Sequence, residues 1–67
     1  MNINKAKALQ VGQQVGCPTD RGDSAYQGNV TWVGEHTSTN IYGHEYIWVE
    51  VQRPGSHKSM WPSNRLG

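Results

Sequence analysis

This sequence is short of several things, and each shortage excludes something. It has no run of about 18 apolar residues, so no helical membrane span is expected. Charge is sparse and nearly balanced. Six Lys and Arg stand against five Asp and Glu, for a net charge of +1. The six cations are scattered, which excludes a polybasic nucleic-acid arm. There is one cysteine, Cys17, so an intramolecular disulfide framework is impossible. Small secreted domains normally carry two or more bridges. The lysines at 5 and 7 are followed by no apolar stretch of the kind a secretory signal needs. The expectation is a reducing, cytoplasmic setting. Neither an internal repeat nor a low-complexity tract occurs.

Metal-binding spacing is also missing. Cys17, His36, His44 and His57 are ligand types, yet no pair shows Cys-x₂-Cys or His-x₃-His spacing. No metal or cofactor is expected. His44-Glu45 lacks the second His of a zincin motif. Cys17 is followed by Pro18, with Asp20 nearby, and so lacks the electropositive setting of a reactive thiol. It reads as a small, buried or half-buried residue at a strand end. Arg21-Gly22-Asp23 reads as a turn with a solvated ion pair. Asn29-Val30-Thr31 is a glycosylation sequon, which has no meaning without secretion.

What the chain does have is apolar residues in a β pattern. Its 67 residues are 34% hydrophobic and include six aromatics, three Trp and three Tyr. Eleven Val, Ile and Leu with little net charge argue for a folded domain rather than a disordered one. A chain this small buries only about 60% of its unfolded surface. It therefore needs tight β packing, a metal or oligomerisation for stability, and self-association is one of the expectations.

Residues 1–9 are the only stretch with helix character, from Ala6, Lys7, Ala8 and Leu9. They are too few for a helix without tertiary support, so a flexible lead-in or a single turn is expected. The domain proper is expected over 10–67. Apolar residues alternate between turn signals. Val11 to Val15 opens the domain, with a turn at Gly12. A loop rich in turn formers covers 17–24. Tyr26 to Gly34 forms a strand with Val30 and Trp32 on one face and Asn29, Thr31 and Val33 on the other. A polar loop spans 35–44. Tyr46 to Gln52 is the clearest strand, with Ile47, Val49 and Val51 facing one way and Tyr46, Trp48, Glu50 and Gln52 the other. Such alternation fits an antiparallel sheet wet on one side. Arg53-Pro54-Gly55-Ser56 is a type II turn pattern. Lys58 to Trp61 is a short strand, Pro62-Ser63-Asn64 a 3₁₀ turn, and Arg65-Leu66 a last β bridge. Five closely spaced strands predict an all-β fold, a small five-stranded barrel whose closure removes exposed edges. The expected core is Val11, Val15, Val30, Trp32, Ile47, Val49, Val51, Met60 and Leu66.

Three segments carry a resemblance. Leu9-Gln10-Val11-Gly12-Gln13-Gln14-Val15, Tyr26-Gln27-Gly28-Asn29-Val30 and Trp61-Pro62-Ser63-Asn64-Arg65-Leu66, with a hairpin between the last two, resemble an SH3-like barrel over about residues 9–67. Two families share that architecture. SH3 domains bind Pro-rich peptides; Pro62 and Asn64 match their Pro-Ser-Asn turn, while Arg65 stands where they carry Tyr. Type II dihydrofolate reductase, a tetramer with a central pore, is similar at Tyr26-Gln27-Gly28, Arg53-Pro54-Gly55-Ser56 and Pro62. Its Val-Gln-Ile-Tyr stretch is replaced here by the longer His57-Lys58-Ser59-Met60-Trp61. No catalytic residue carries over from that family.

The candidate site is the aromatic and basic set Tyr46, Trp48, Arg53, His57, Lys58, Trp61 and Arg65. Aromatics on an exposed face are usual binding material and stack single-stranded bases. Nearby cations would supply weak, salt-sensitive phosphate contacts. For Tyr46 and Trp48, a second reading is that they cover a small core under the 35–44 loop or the N-terminus. The resulting expectation is a non-enzymatic binding module of bacterial or bacteriophage type. Its partner would be nucleic acid or a protein, without membrane contact. Alternatives are an oligomeric enzyme like type II dihydrofolate reductase, or a homo-oligomeric structural protein.

Overall fold

The computed structural model describes residues 1–18 and 25–67. The expected loop over 17–24, with Arg21-Gly22-Asp23, falls mostly outside the described residues. The described chain is mainly β. Helix α1 (Ile3–Lys7) is followed by β1 (Gln14–Cys17), β2 (Tyr26–Val33), β3 (Ser38–Thr39), β4 (Glu45–Tyr46), β5 (Trp48–Gln52) and β6 (Lys58–Pro62). A 3₁₀ turn covers Ser63–Arg65. Strands β1, β2, β5 and β6 form a four-stranded sheet in that order, and β3 pairs with β4 in a second sheet. Every pairing is antiparallel.

Of the two N-terminal expectations, the structure has the single helical turn. The Asn2 side chain caps it by accepting from the Lys5 amide at 2.8 Å, a standard N-cap arrangement. Residues 3, 6 and 9 follow the helical spacing. Ile3 packs against the core, while Ala6 and Leu9 are buried in it. That apolar stripe supplies the tertiary support so short a helix needs.

The core is Ala6, Leu9, Val15, Cys17, Val30, Ile47, Val49, Val51 and Leu66. Three residues expected there lie elsewhere. Val11 is 69% exposed because it belongs to the turn before β1, which starts only at Gln14. Trp32 is 47% exposed, and the reason is a β-bulge at Thr31. Val30 pairs with Val51, Trp32 with Glu50 and Val33 with Val49, which leaves Thr31 unmatched. One extra residue reverses the in-out phase downstream of it. Trp32 therefore points outward with Glu50, and Val33 packs against the core. Met60 is 48% exposed. Its partner is Glu50, whereas Trp61 pairs with Val49. Outer and core faces of β6 are thus the reverse of expectation.

The 35–44 segment is more ordered than a polar loop. Strands β3 and β4 form a small hairpin, Ser38 opposite Tyr46 and Thr39 opposite Glu45. The Asn40 side chain holds its turn by accepting from the amides of Tyr42 and His44 at 2.9 and 3.0 Å. The other hairpin follows expectation. Gly55 has φ +74°, the left-handed value that the third position of a type II turn requires. The Ser56 amide closes the turn on the Arg53 carbonyl at 3.0 Å.

Residues 46–52 do not form one strand. They divide at Ile47 between the two sheets. There the Ile47 amide donates to the Ser63 hydroxyl at 3.0 Å, and the Ser63 amide donates to the Ile47 carbonyl at 2.9 Å. The last bridge comes one residue later than expected. Gly16 and Gly67 exchange two backbone hydrogen bonds of 2.9 and 3.0 Å on the free edge of β1.

Two variants test this packing. A methyl group at Gly28 would collide with the Val51 side chain. Gly28→Ala is expected to cost about 1–3 kcal/mol or more through overpacking. Ser63→Ala leaves the Ile47 amide without its partner, for an expected loss of about 1–3 kcal/mol. Urea denaturation reads both as a lowered midpoint with an unchanged slope.

Candidate functional site

The sheet register decides which aromatic and basic residues meet. Tyr26 opens β2 opposite Cys17 and leans over Gly28. Trp61 stands on the core side of β6, opposite Val49. Both are half-buried and pack against the core. The Trp61 indole Nε1 donates to the Tyr26 hydroxyl at 3.3 Å. Each ring carries an arginine: the Arg53 guanidinium lies 4.7 Å from the Tyr26 ring centre, and the Arg65 guanidinium lies 5.5 Å from that of Trp61. The order in space is Arg53, Tyr26, Trp61, Arg65.

Two concavities adjoin this row. One, of about 220 Å³, lies at the base of the β5–β6 hairpin. Tyr26, Arg53, His57 and Trp61 line it, with the Ser56 and Ser59 hydroxyls and Pro18. The other is a wider groove of about 400 Å³, lined by Asn40, His44, Tyr46, Trp48, Pro62, Asn64 and Arg65. In that groove Tyr46 and Trp48 meet edge to face at 5.5 Å, a favoured aromatic geometry. Trp48 is 41% exposed, so it does not cover a second core. Tyr46 is partly covered, paired to Ser38 of the small hairpin.

Six of the seven candidate residues therefore line the two concavities. Arg65 joins them, lining the groove while stacking on Trp61 of the hairpin pocket. Lys58 is placed apart. It pairs with Gln52 on the outer face, and its ammonium lies 3.8 Å from the Glu50 carboxylate. Glu50 is also held by the Thr31 hydroxyl, which donates to it at 2.8 Å. Tyr26 is the residue that sequence reasoning left out of the site. Its signal was available, since Tyr26-Gln27-Gly28 sets an aromatic two residues before a glycine that leaves room for it.

Cys17 is buried beside Tyr26. Burial pushes its thiol up, against the hydrogen bonds with Tyr26 and the Gly28 backbone that pull it down. A buried thiol that keeps its proton is a poor nucleophile. The Tyr26 hydroxyl is pushed up as well, chiefly by burial. Among the described residues, no three metal-ligand side chains converge.

No family model matches this chain, and no curated protein or solved structure shows significant similarity to it.

The raised thiol fixes the sign of one pH effect. The unfolded chain loses the Cys17 proton first, so the folded state binds more protons in the alkaline window between the two values. Stability then falls as pH rises. The full contribution is present below the ordinary thiol range and is lost as pH climbs through the raised folded value. Tyr26 acts in the same direction at still higher pH. Urea midpoints measured at increasing alkaline pH are expected to drop, and Cys17→Ala is expected to flatten the early part of that drop.

Proposed function

We propose that this chain is a non-enzymatic binding module on an SH3-like barrel, docking single-stranded nucleic acid through its aromatic and basic surface. The observation that carries the reading is the row Arg53, Tyr26, Trp61, Arg65, in which two guanidinium groups flank two hydrogen-bonded rings. Bases stack on aromatic faces and on arginine guanidinium planes regardless of sequence. The arginines lying over these rings therefore extend the stacking surface and offer N–H donors to the phosphates. The row ends in the groove of Tyr46 and Trp48, which adds further stacking surface. With a net charge of +1, long-range attraction is small, so affinity must come from these local contacts.

The barrel reading is supported by the chain's return to β1. After the 3₁₀ turn at Ser63–Arg65, Gly67 pairs with Gly16 on the edge of β1 opposite β2. This is the connectivity expected of the SH3-like architecture. The groove favours a protein partner as the second reading. Its Trp48, Pro62 and Asn64 are the residue types that SH3 domains use around their Pro-Ser-Asn turn.

An amide-shift titration with a mixed-sequence single-stranded oligonucleotide tests the first reading. Shifts are expected at Tyr26, Arg53, His57, Trp61 and Arg65, and they should fade with salt. Two arginine contacts predict a log-log salt slope of about −1.4, at roughly −0.7 per phosphate. Trp61→Ala is expected to weaken binding about tenfold or more, the scale of one lost base stack. Lys58→Ala is expected to leave it unchanged, because Lys58 lies on the outer face. Absence of shifts at low salt rejects the nucleic-acid reading. Salt-insensitive binding of a Pro-rich peptide in the groove would establish the protein reading instead.

A further inference from the structure

The outer face of the main sheet carries tryptophans that the proposed nucleic-acid row does not explain. The bulge at Thr31 turns Trp32 outward, and β5 turns Trp48 the same way, so both indoles stand 47% and 41% exposed. Between them is a separate pocket of about 240 Å³, lined by Trp32, Gly34, Glu35, His36, Ser38 and Trp48. Its shape depends on Gly34. A Cβ there would come within 3.0 Å of the Trp48 carbonyl oxygen and 3.4 Å of the tip of the Trp32 ring. The missing side chain thus lets the Trp32 ring close one side of the cavity. The Gly34 amide donates to the Trp48 carbonyl at 2.8 Å, which fixes the floor against β5.

The chemistry of this lining is specific. Two indoles bring π density to the lining, and Trp is the strongest aromatic partner for a cation. Glu35 adds a carboxylate that has no ion-pair partner among the described residues. Lys58, the cation that β6 places on the outer face, is engaged by Glu50. A bare ammonium is a poorer fit, since it carries three N–H donors and would be stripped of water beside the two indoles. An N-alkylated ammonium has no such donors and presents a charged but apolar surface.

We propose that the Trp32–Trp48 pocket binds a trimethylammonium group, with the indoles as its walls and Glu35 as its counter-charge. The group comes from a free solute or from a trimethylated lysine on a partner chain, and the two sources are separable. The site is independent of the nucleic-acid reading, sharing only Trp48 with the groove.

The test uses the full chain and follows the indole N–H signals by NMR. Choline and a short peptide bearing trimethyl-lysine are titrated in parallel. The control is 3,3-dimethylbutanol, the uncharged carbon analogue of choline. The expected result is saturable shifts at Trp32 and Trp48 with choline, roughly millimolar in affinity. The neutral analogue should bind about fivefold or more weakly, the difference that cation–π attraction contributes. Markedly tighter binding of the peptide than of choline assigns the group to a partner chain, and equal or weaker binding assigns it to a solute. Trp32→Ala and Glu35→Gln should each weaken binding, Trp32→Phe should retain part of it, and Arg53→Ala should leave it intact. Equal binding of choline and its neutral analogue overturns the proposal. So does an absence of Trp32 and Trp48 shifts with either cation, a measurement on the unaltered chain that no folding defect can confuse.

Discussion

Ser63 and Ile47 exchange two hydrogen bonds, and most of the candidate surface is positioned by that exchange. The Ser63 hydroxyl accepts the Ile47 amide, and the Ser63 amide reaches the Ile47 carbonyl. Ser63 is buried and Ile47 is a core residue, so neither backbone group of Ile47 has water as an alternative. A buried backbone donor without a partner is costly. The exchange occurs where the chain passes from the small hairpin sheet to the main sheet. It therefore fixes Tyr46 on one side of Ile47 and Trp48 on the other. It also fixes Pro62, Asn64 and Arg65 around the 3₁₀ turn. The groove and the Arg65–Trp61 stack both follow from one serine in the Pro-Ser-Asn turn.

A second constraint acts across β5. Val49 and Val51 are fully buried on one face, while Trp48, Glu50 and Gln52 stand on the other. Strand β6 follows the same alternation, with Trp61 inward and Met60 and Lys58 outward. The bulge in β2 brings Trp32 into the outer set. The molecule thus has two chemically different surfaces. One end of the core face is lined by rings and guanidinium groups. The outer face carries Trp32, Trp48 and Met60 around a Glu50 that accepts a hydrogen bond from Thr31 and pairs with Lys58. Lys58 is near Arg53 in sequence, but strand alternation places it on the outer face with Gln52.

Much of the β organisation was legible in the sequence. Period-2 alternation over 46–52 marks both faces correctly, because one face is fully buried and the other is not, although the segment divides at Ile47 between two sheets. The Arg53-Pro54-Gly55-Ser56 turn was legible because proline and glycine restrict the backbone locally. The 3₁₀ turn was legible for a similar reason, though it covers Ser63–Arg65 rather than 62–64. The sequence does not decide the helical turn, since its stability comes from Ala6 and Leu9 meeting the core rather than from its own residues. The β3–β4 hairpin was missed because two-residue strands leave no periodic trace.

What the sequence determined by itself is set by short-range chemistry: mainly β structure, the turns, the inward set of Ile47, Val49 and Val51, and the impossibility of an internal disulfide. Tertiary structure alone decided the rest. Thr31 carries no local mark of a bulge, yet the extra residue reverses Trp32 and Val33, and only pairing with β5 settles where it falls. Met60 and Trp61 are both apolar, so the pattern could not choose between them; the register against Glu50 and Val49 did. Tyr26 and Trp61 are 35 positions apart, and their hydrogen bond depends on two strands that are not neighbours in the sheet. Short-range preferences are written residue by residue, but the phase of a strand is fixed only by the strand it pairs with.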